Sequence, residues 1–268
     1  MNTVSYFSDD TTIQNRAFLA GDSVKVFFFV RNSQLIMDEE CYFFLMASMR
    51  KLRMQISLTY TLEFFRDLFQ KEVLAHDVRN GIIHLMAYRN SDVRPLEKAA
   101  VAFYFKVEKT EDVLKIRSSI EVDLIKEVNV NRNFLSSIRT PSAENIYAEI
   151  YAAENELDDV IFLNPEKRIA RSIYGNYLFL EGNIIKIPKQ SEGAYISPLM
   201  ENFVTFLHKN ALAEIQESEM IAFESQKAEE ILMISDEKGI FTVRQIRKKT
   251  FDNTTFTDLV AKWRASFL

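Results

Sequence analysis

The stretch from residue 136 to residue 164, SSIRTPSAENIYAEIYAAENELDDVIFLN, constrains the fold most. It predicts a helix over 142–156 that delivers the chain into a buried strand over 159–163. A helix followed so closely by a strand belongs to a layered protein with mixed elements. At the head of the helix, Arg139 stands in an open loop beside Thr140 and Pro141. An arginine there either faces a cleft or is an ordinary solvated one.

The other segments continue the mixed pattern. VKVFFFV at 24–30 is β-rich, and residues 34–37, after the polar turn Arg31-Asn32-Ser33, complete a hairpin. Asp38 is the expected N-cap of a helix over 39–53, with Cys41, Leu45, Met49 and Leu52 on one face. A second amphipathic helix is expected over 61–75, with Leu62, Phe65, Leu68, Phe69 and Val73 apolar. Asn80-Gly81 marks a turn before a strand at 82–88, and 99–108 is another strand. The second half is expected to hold a strand at 120–128 and a hairpin of 177–180 with 184–187 about Gly182-Asn183. Helices at 198–213 and 225–230, strands at 231–234 and 240–244, and a last helix from Thr255 follow. The polar segment 109–118 separates the halves, giving domains 1–112 and 113–268 of an α+β protein.

At 47% hydrophobic and 26% charged residues, 268 residues bury a core of ordinary size without staples. The single cysteine, Cys41, excludes an intramolecular disulfide and suits a reducing compartment. The opening MNTVSYFSDD lacks the basic n-region and apolar run of a secretory signal. No stretch reaches the roughly 20 apolar residues of a membrane span. A cytoplasmic protein with no membrane contact is therefore expected. The net charge of −5, with dispersed lysines and arginines, argues against a nucleic-acid surface. Six glycines and the lack of a G-x-G-x-x-G or Walker loop leave no glycine-rich phosphate cradle.

Unaided, the residues offer little chemistry. His76, His84 and His208 match no metal spacing, so no metal is expected. Cys41 reads as a small buried hydrophobe. Asp158-Asp159 are either paired carboxylates or a solvated junction, and the junction is the commoner case. Phe27-Phe28-Phe29 and Tyr42-Phe43-Phe44 read as core rather than as a binding platform.

Several segments together resemble the class IV aminotransferases, the fold type IV pyridoxal-phosphate (PLP) enzymes that include branched-chain and D-amino acid aminotransferases and aminodeoxychorismate lyase. NRAFLAGDSVKVFFFV (15–30) is similar to the family's N-R-G-F-x-Y-G-D-x-x-F-E-T strand, and MDEECYFFLMASMRKLRM (37–54) to its E-D/E-H-x-x-R-L helix. IRTPSAENIYAEIYAAENELDDVIFLN resembles the I-K-T-x-N…E…G-x-D-E segment. RIARSIYGNYLFLEGNIIKIPKQSEGAYISPLM (168–200) resembles the family's E-x-x-x-S-N-x-F…S-E-G…G-x-x-R segment. EEILMISDEKGIFTVRQIRKKTF (229–251) resembles the family's D-E-x-F-L-T-N-x-x-x-G-I tail. The resemblance implies a small N-terminal α/β domain, a larger C-terminal pseudo-barrel domain and a homodimer. It also implies PLP bound by a lysine Schiff base, a carboxylate on the pyridinium nitrogen, an arginine on the phosphate, and a cup of amides and hydroxyls.

The departures fall on those groups. The lysine position aligns with Arg139, or with Ile138 after a one-residue shift, and neither is a usable amine. The carboxylate position aligns with Arg171, where a cation disfavours protonation of the pyridine nitrogen. The phosphate arginine aligns with Phe44, which has no donor. The family's glycine-and-arginine turn becomes Ser197, Pro198, Leu199 and Met200, and Pro198 removes an amide. Its Thr-Asn becomes Ile234-Ser235, and the strand glutamate becomes Val26. The expectation is a homologue that binds no PLP and is not an enzyme, with a ligand-binding or protein-pairing role. The alternative is an active aminotransferase or lyase with a relocated lysine, for which Lys25, Lys126 and Lys186 stand as candidates. Arg139 and Arg171 either converge on a small anionic ligand or swing into solvent while Phe44 fills the emptied space. The second arrangement is the expected one, because apolar filling stabilises the fold.

Overall fold

The computed structural model describes residues 4–7, 15–90 and 99–267. Residues 1–3 and 8–10 of the opening decapeptide, read above for a secretory signal, lie outside them. The chain forms two compact units, Met1–Val113 with Ile138–Pro141, and Leu114–Ser137 with Ser142–Leu268. A single cut at 112/113 therefore misses the return of Ile138–Pro141 to the first unit.

The first unit holds strands β1 (Ser5–Phe7), β2 (Ser23–Arg31), β3 (Gln34–Ile36), β4 (Gly81–Arg89) and β5 (Val101–Lys109). They make an antiparallel sheet in the order β1-β5-β4-β2-β3. Its helices are α1 (Arg16–Ala20), α2 (Asp38–Lys51) and α3 (Leu62–Glu72). Alternate residues of β2 point to opposite faces. Phe28 meets Phe65 and Phe69 of α3 at ring distances of 6.3 and 4.9 Å. Phe27, on the other face, meets His84 edge-on at 5.2 Å. Both faces of β2 are covered, which is why 24–30 reads as a nearly unbroken apolar run. Arg89 ties the unit together. It donates to Asp22 at 2.6 Å and to the carbonyls of Leu52 and Arg53 at 2.7 and 2.8 Å, satisfying groups just past the end of α2.

The second unit holds β6 (Ile116–Leu124), β7 (Asp159–Leu163), β8 (Ile169–Arg171), β9 (Asn176–Glu181), β10 (Ile184–Pro188), β11 (Glu214–Ser218), β12 (Glu230–Ser235), β13 (Gly239–Ile246) and β14 (Lys249–Thr250). Helices α4 (Ala143–Glu154), α5 (Pro198–Lys209) and α6 (Thr254–Ala265) accompany them. The sheet runs β11-β10-β9-β12-β13-β6-β7-β8, with β14 on β13. β8, at one end, also lies against β9 and β10 near the other end, so the sheet curls back on itself. The curl encloses Ile120, Val122, Tyr177, Phe179, Ile231, Met233 and Val243 in one buried cluster. α4 and α5 are crossovers between parallel strands, β6 to β7 and β10 to β11.

Several expectations are corrected. Asp38 is the first residue of α2, not its cap. Met37 precedes it in the left-handed region, and the Asp38 carboxylate instead accepts from Arg66 Nε at 2.6 Å. The helix expected at 61–75 ends at Glu72, followed by a single 3-10 turn, Leu74–His76. The strand expected at 120–128 lies at Ile116–Leu124, because polar β6 residues are matched across the pair, as Ser119 Oγ with Thr242 Oγ1 at 2.7 Å. The helix expected at 198–213 stops at Lys209, where Asn210 Nδ2 donates back to the Phe206 carbonyl, and β11 follows. The helix expected at 225–230 is only a 3-10 turn, Ala222–Gln226, because Glu230 is drawn into β12. Phe43 is not core: it is 63% exposed.

The aromatic cluster gives a direct test. Phe65 is 1% exposed and packs against Phe28, Phe69 and Phe103. Phe65→Ala is expected to destabilise the first unit by about 3–5 kcal/mol, read by urea unfolding. Phe43→Ala is expected to change it by less than about 0.5 kcal/mol.

Candidate functional site

In the first unit, Arg139 is fixed through its backbone before its side chain matters. Its carbonyl accepts from the Lys25 amide at 2.9 Å, and the two residues form an isolated antiparallel bridge beside β2. The guanidinium lies 5.3 Å from the Phe27 ring centre, and the residue is 8% exposed. A cation over a ring face is stabilised by the ring quadrupole. Phe44 is buried on the inner face of α2 and belongs to the core. Lys25 itself is exposed.

In the second unit, Arg171 ends β8 and is 5% exposed. Its Nη1 donates to the Ser172 carbonyl at 2.9 Å, and Nη2 donates to Asn145 Oδ1 at 2.8 Å. The guanidinium sits 4.2 Å from the Tyr195 ring centre and 4.9 Å from that of Phe162. Asn145 in turn donates to Tyr195 Oη and to the Ile173 carbonyl, each at 3.1 Å. Both arginines are thus buried, and the expectation that they swing into solvent is overturned. Phe27 in the first unit, and Phe162, Tyr195 and the Ser172 carbonyl in the second, meet the charge that water would otherwise solvate. Arg139 belongs to the first unit and Arg171 to the second.

Asp158 and Asp159 do not form a pair. Exposed Asp158 accepts from the Glu121 amide at 2.8 Å. Asp159 is 1% exposed and accepts from the Ile173 amide at 2.9 Å. Burial pushes the Asp159 carboxyl up to about 6, against the pull of the Ile173 and Val160 amides, the Ser172 hydroxyl and the Arg171 charge.

The positions Ser197, Pro198, Ile234 and Ser235 lie in the second unit, around the start of α5 and the end of β12. Ser197 caps α5, and Pro198 is its first residue. Ile234 is buried, and its carbonyl would lie 2.1 Å from any Cβ at Gly175, so that position admits only glycine. Ser235 Oγ donates to the Tyr174 carbonyl at 2.6 Å and accepts from the amides of Glu237 and Lys238. Buried Asp236, which the sequence reading passed over, accepts from Ser197 Oγ at 2.8 Å and from the Leu199 amide at 3.1 Å. Its one readable signal was a carboxylate directly after a strand, ahead of no helix of its own. Asn145 and Tyr195 were also missed, because no local pattern marks a residue that serves a distant arginine.

Among the lysines, Lys126 is exposed, and Lys186 Nζ is paired with Glu181 at 2.7 Å. The second unit has an open cleft of about 370 Å³ lined by Ile187, Gln190, Tyr195, Met200, Glu201 and Glu217. Its two carboxylates repel an anion. Cys41 is fully buried. Among the described residues no three His, Cys, Asp or Glu side chains gather to hold a metal. No helix among them is long and apolar enough to cross a membrane.

The chain belongs to the class IV aminotransferase family, whose model matches residues 45–246. Its structure is similar to a branched-chain aminotransferase from Thermoproteus uzoniensis, with TM-score 0.85, 13% identity, and coverage of 98% of this chain and 94% of that one. It is also similar to a putative 4-amino-4-deoxychorismate lyase from Legionella pneumophila, with TM-score 0.84, 18% identity and 96% of each chain covered. The branched-chain aminotransferase of Escherichia coli matches with TM-score 0.83, 13% identity, and coverage of 98% and 93%. Likeness at these identities establishes the fold type IV architecture, an α+β fold with a curled sheet. No curated protein sequence gives a match.

Asp159 supplies a pH test. Its carboxyl holds a proton more tightly in the folded chain than at its ordinary value of 3.8. Folding therefore takes up a proton between those values, and stability from this group is present below the ordinary value and lost as pH rises through about 6. The loss approaches about 3 kcal/mol. Asp159→Asn is expected to flatten the fall in urea-unfolding free energy between about pH 4 and pH 6.5. An unchanged slope would show that Asp159 ionises as freely folded as unfolded.

Proposed function

We propose that this class IV member binds no PLP and performs no transamination or lyase chemistry, and that it acts as a cytoplasmic, homodimeric binding protein whose scaffold outlives the catalytic site. The observation that carries the reading is Arg171. Where the resemblance places a carboxylate for the pyridinium nitrogen, a buried guanidinium stands, held by Asn145, the Ser172 carbonyl and two aromatic rings. It can neither accept the proton of that nitrogen nor turn away cheaply, because it would leave Asn145 and the Ser172 carbonyl without their donor. Arg139 and Phe44 support the same reading. One is a permanently protonated residue lying over Phe27, and the other is a core side chain with no donor for a phosphate.

The residues present thus do not fit PLP at its amine, nitrogen or phosphate ends. Branched-chain aminotransferases solved in a PLP form and with pyridoxamine 5'-phosphate share this fold at 16% and 15% identity. Fold likeness does not carry their chemistry across, since activity resides in the site.

One observation favours a second reading. Lys25 is the bridge partner of Arg139 and is exposed, so an amine stands one strand away from the expected position. The absorption spectrum of the purified protein, before and after PLP and then borohydride, separates the readings. The expected outcome is a colourless protein with no reduced adduct at Lys25, Lys126 or Lys186 by peptide mapping. A yellow band removed by borohydride, with a label on Lys25, would establish the relocated amine and an active enzyme.

A further inference from the structure

We infer that Asp236 is a built-in anion: its carboxylate has taken over the N-terminus of α5 and closes, from inside the chain, a cradle that would otherwise accept a phosphate group. The inference rests on the reading that PLP is not used, and adds how the phosphate end of its place is shut.

The start of a helix exposes amides that no turn of the helix satisfies, and the helix dipole draws negative charge to them. At α5 the positions from Pro198 to Glu201 leave no unspent amide. Pro198 has no N–H. The Leu199 amide donates to Asp236 Oδ1 at 3.1 Å, and the Met200 amide donates to Ser197 Oγ at 3.1 Å. The Ser197 hydroxyl donates to the same Asp236 oxygen at 2.8 Å. The Glu201 amide has already entered the helix, donating to the Ser197 carbonyl at 2.9 Å. Ser197 and Asp236 are 2% and 3% exposed, so water does not screen the arrangement. The hydroxyl on the other side, Ser235 Oγ, is spent on the turn that carries Asp236, between the Tyr174 carbonyl and the amides of Glu237 and Lys238.

A phosphate brought to this place would meet a buried carboxylate instead of free donors, and two like charges cannot share a desolvated site. The same geometry works in reverse. Removing the carboxylate leaves the Leu199 amide and the Ser197 hydroxyl without an acceptor, beside a helix dipole that favours an anion.

Thermal unfolding of the full chain, in chloride and in inorganic phosphate at matched ionic strength, reads this directly. The wild type is expected to melt at the same temperature in both. Asp236→Ala is expected to melt about 4–8 °C lower in chloride and to recover at least half of that loss in phosphate. The double variant Asp236→Ala with Ser197→Ala is expected to melt lower still and not to recover. If Asp236→Ala does not stay folded in chloride, refolding it in phosphate becomes the test. Folded protein in phosphate alone supports the inference, and folded protein in neither overturns it. It is also overturned by a wild type that phosphate stabilises, by an Asp236→Ala protein that melts like wild type, or by one that ignores phosphate. Failure of the functional reading would show separately, as a coloured adduct on a wild-type lysine whose melting remains indifferent to phosphate.

Discussion

The second unit depends on a buried strand that ends in a carboxylate on both sides. β12 runs through the middle of the curled sheet, between β9 and β13. Glu230, at its start, accepts from the Thr255 and Phe256 amides at 2.8 Å each and so caps α6. Asp236, just past its end, caps α5. A charge taken out of water has to be matched, and the first-turn amides of a helix match it with several hydrogen bonds at once. The same carboxylates fix where both helices begin, which lets Phe203 of α5 and Trp263 of α6 meet at 5.2 Å on the sheet. Packing and capping are therefore one arrangement, and the helix ends of this fold are committed to internal partners.

That commitment bears on chemistry. A PLP site needs donors left unspent for phosphate, an acid left near the pyridine and an amine able to lose its proton. On the reading proposed above, this chain commits each of those positions to structure. Asp236 takes the Ser197 hydroxyl, Arg171 lies against the Tyr195 ring where the resemblance implies an acid, and Arg139 lies over Phe27 where it implies an amine. The buried arginines are not idle charges. Arg171 lowers the cost of burying Asp159, whose carboxyl burial alone would push higher still. Placing a lysine at Arg139 or a carboxylate at Arg171 would break one of these pairings and leave the other in place.

Much of the architecture was legible because local signals agreed. The hairpins around Asn32-Ser33 and Gly182-Asn183, the strand at Asp159–Leu163 and the run VKVFFFV each joined turn residues to a strand pattern. The polar β6 was placed four residues late, since its Ser119 is satisfied by Thr242, 123 residues away, and nothing local announces that partner. At the site, alignment pointed to Arg139, Arg171, Phe44 and Ser197 as positions, but not to what holds them. Arginine is read as a surface residue unless its partners are known, and Asn145 comes from α4, Phe162 from β7 and Tyr195 from the loop before α5. Asp236 was invisible for the same reason: its meaning is the helix it caps, which starts 38 residues earlier in the chain.

The central claim is that this fold no longer offers a place for PLP. Calorimetric titration of the purified protein with PLP, and with pyridoxal lacking the phosphate as its control, tests this most directly. The account predicts the same weak, unsaturated heats for both, as expected of scattered surface lysines. A saturable, one-to-one isotherm for PLP that pyridoxal does not reproduce would contradict it, because it would require a phosphate site that Asp236, Ser197 and Phe44 leave no donors to build.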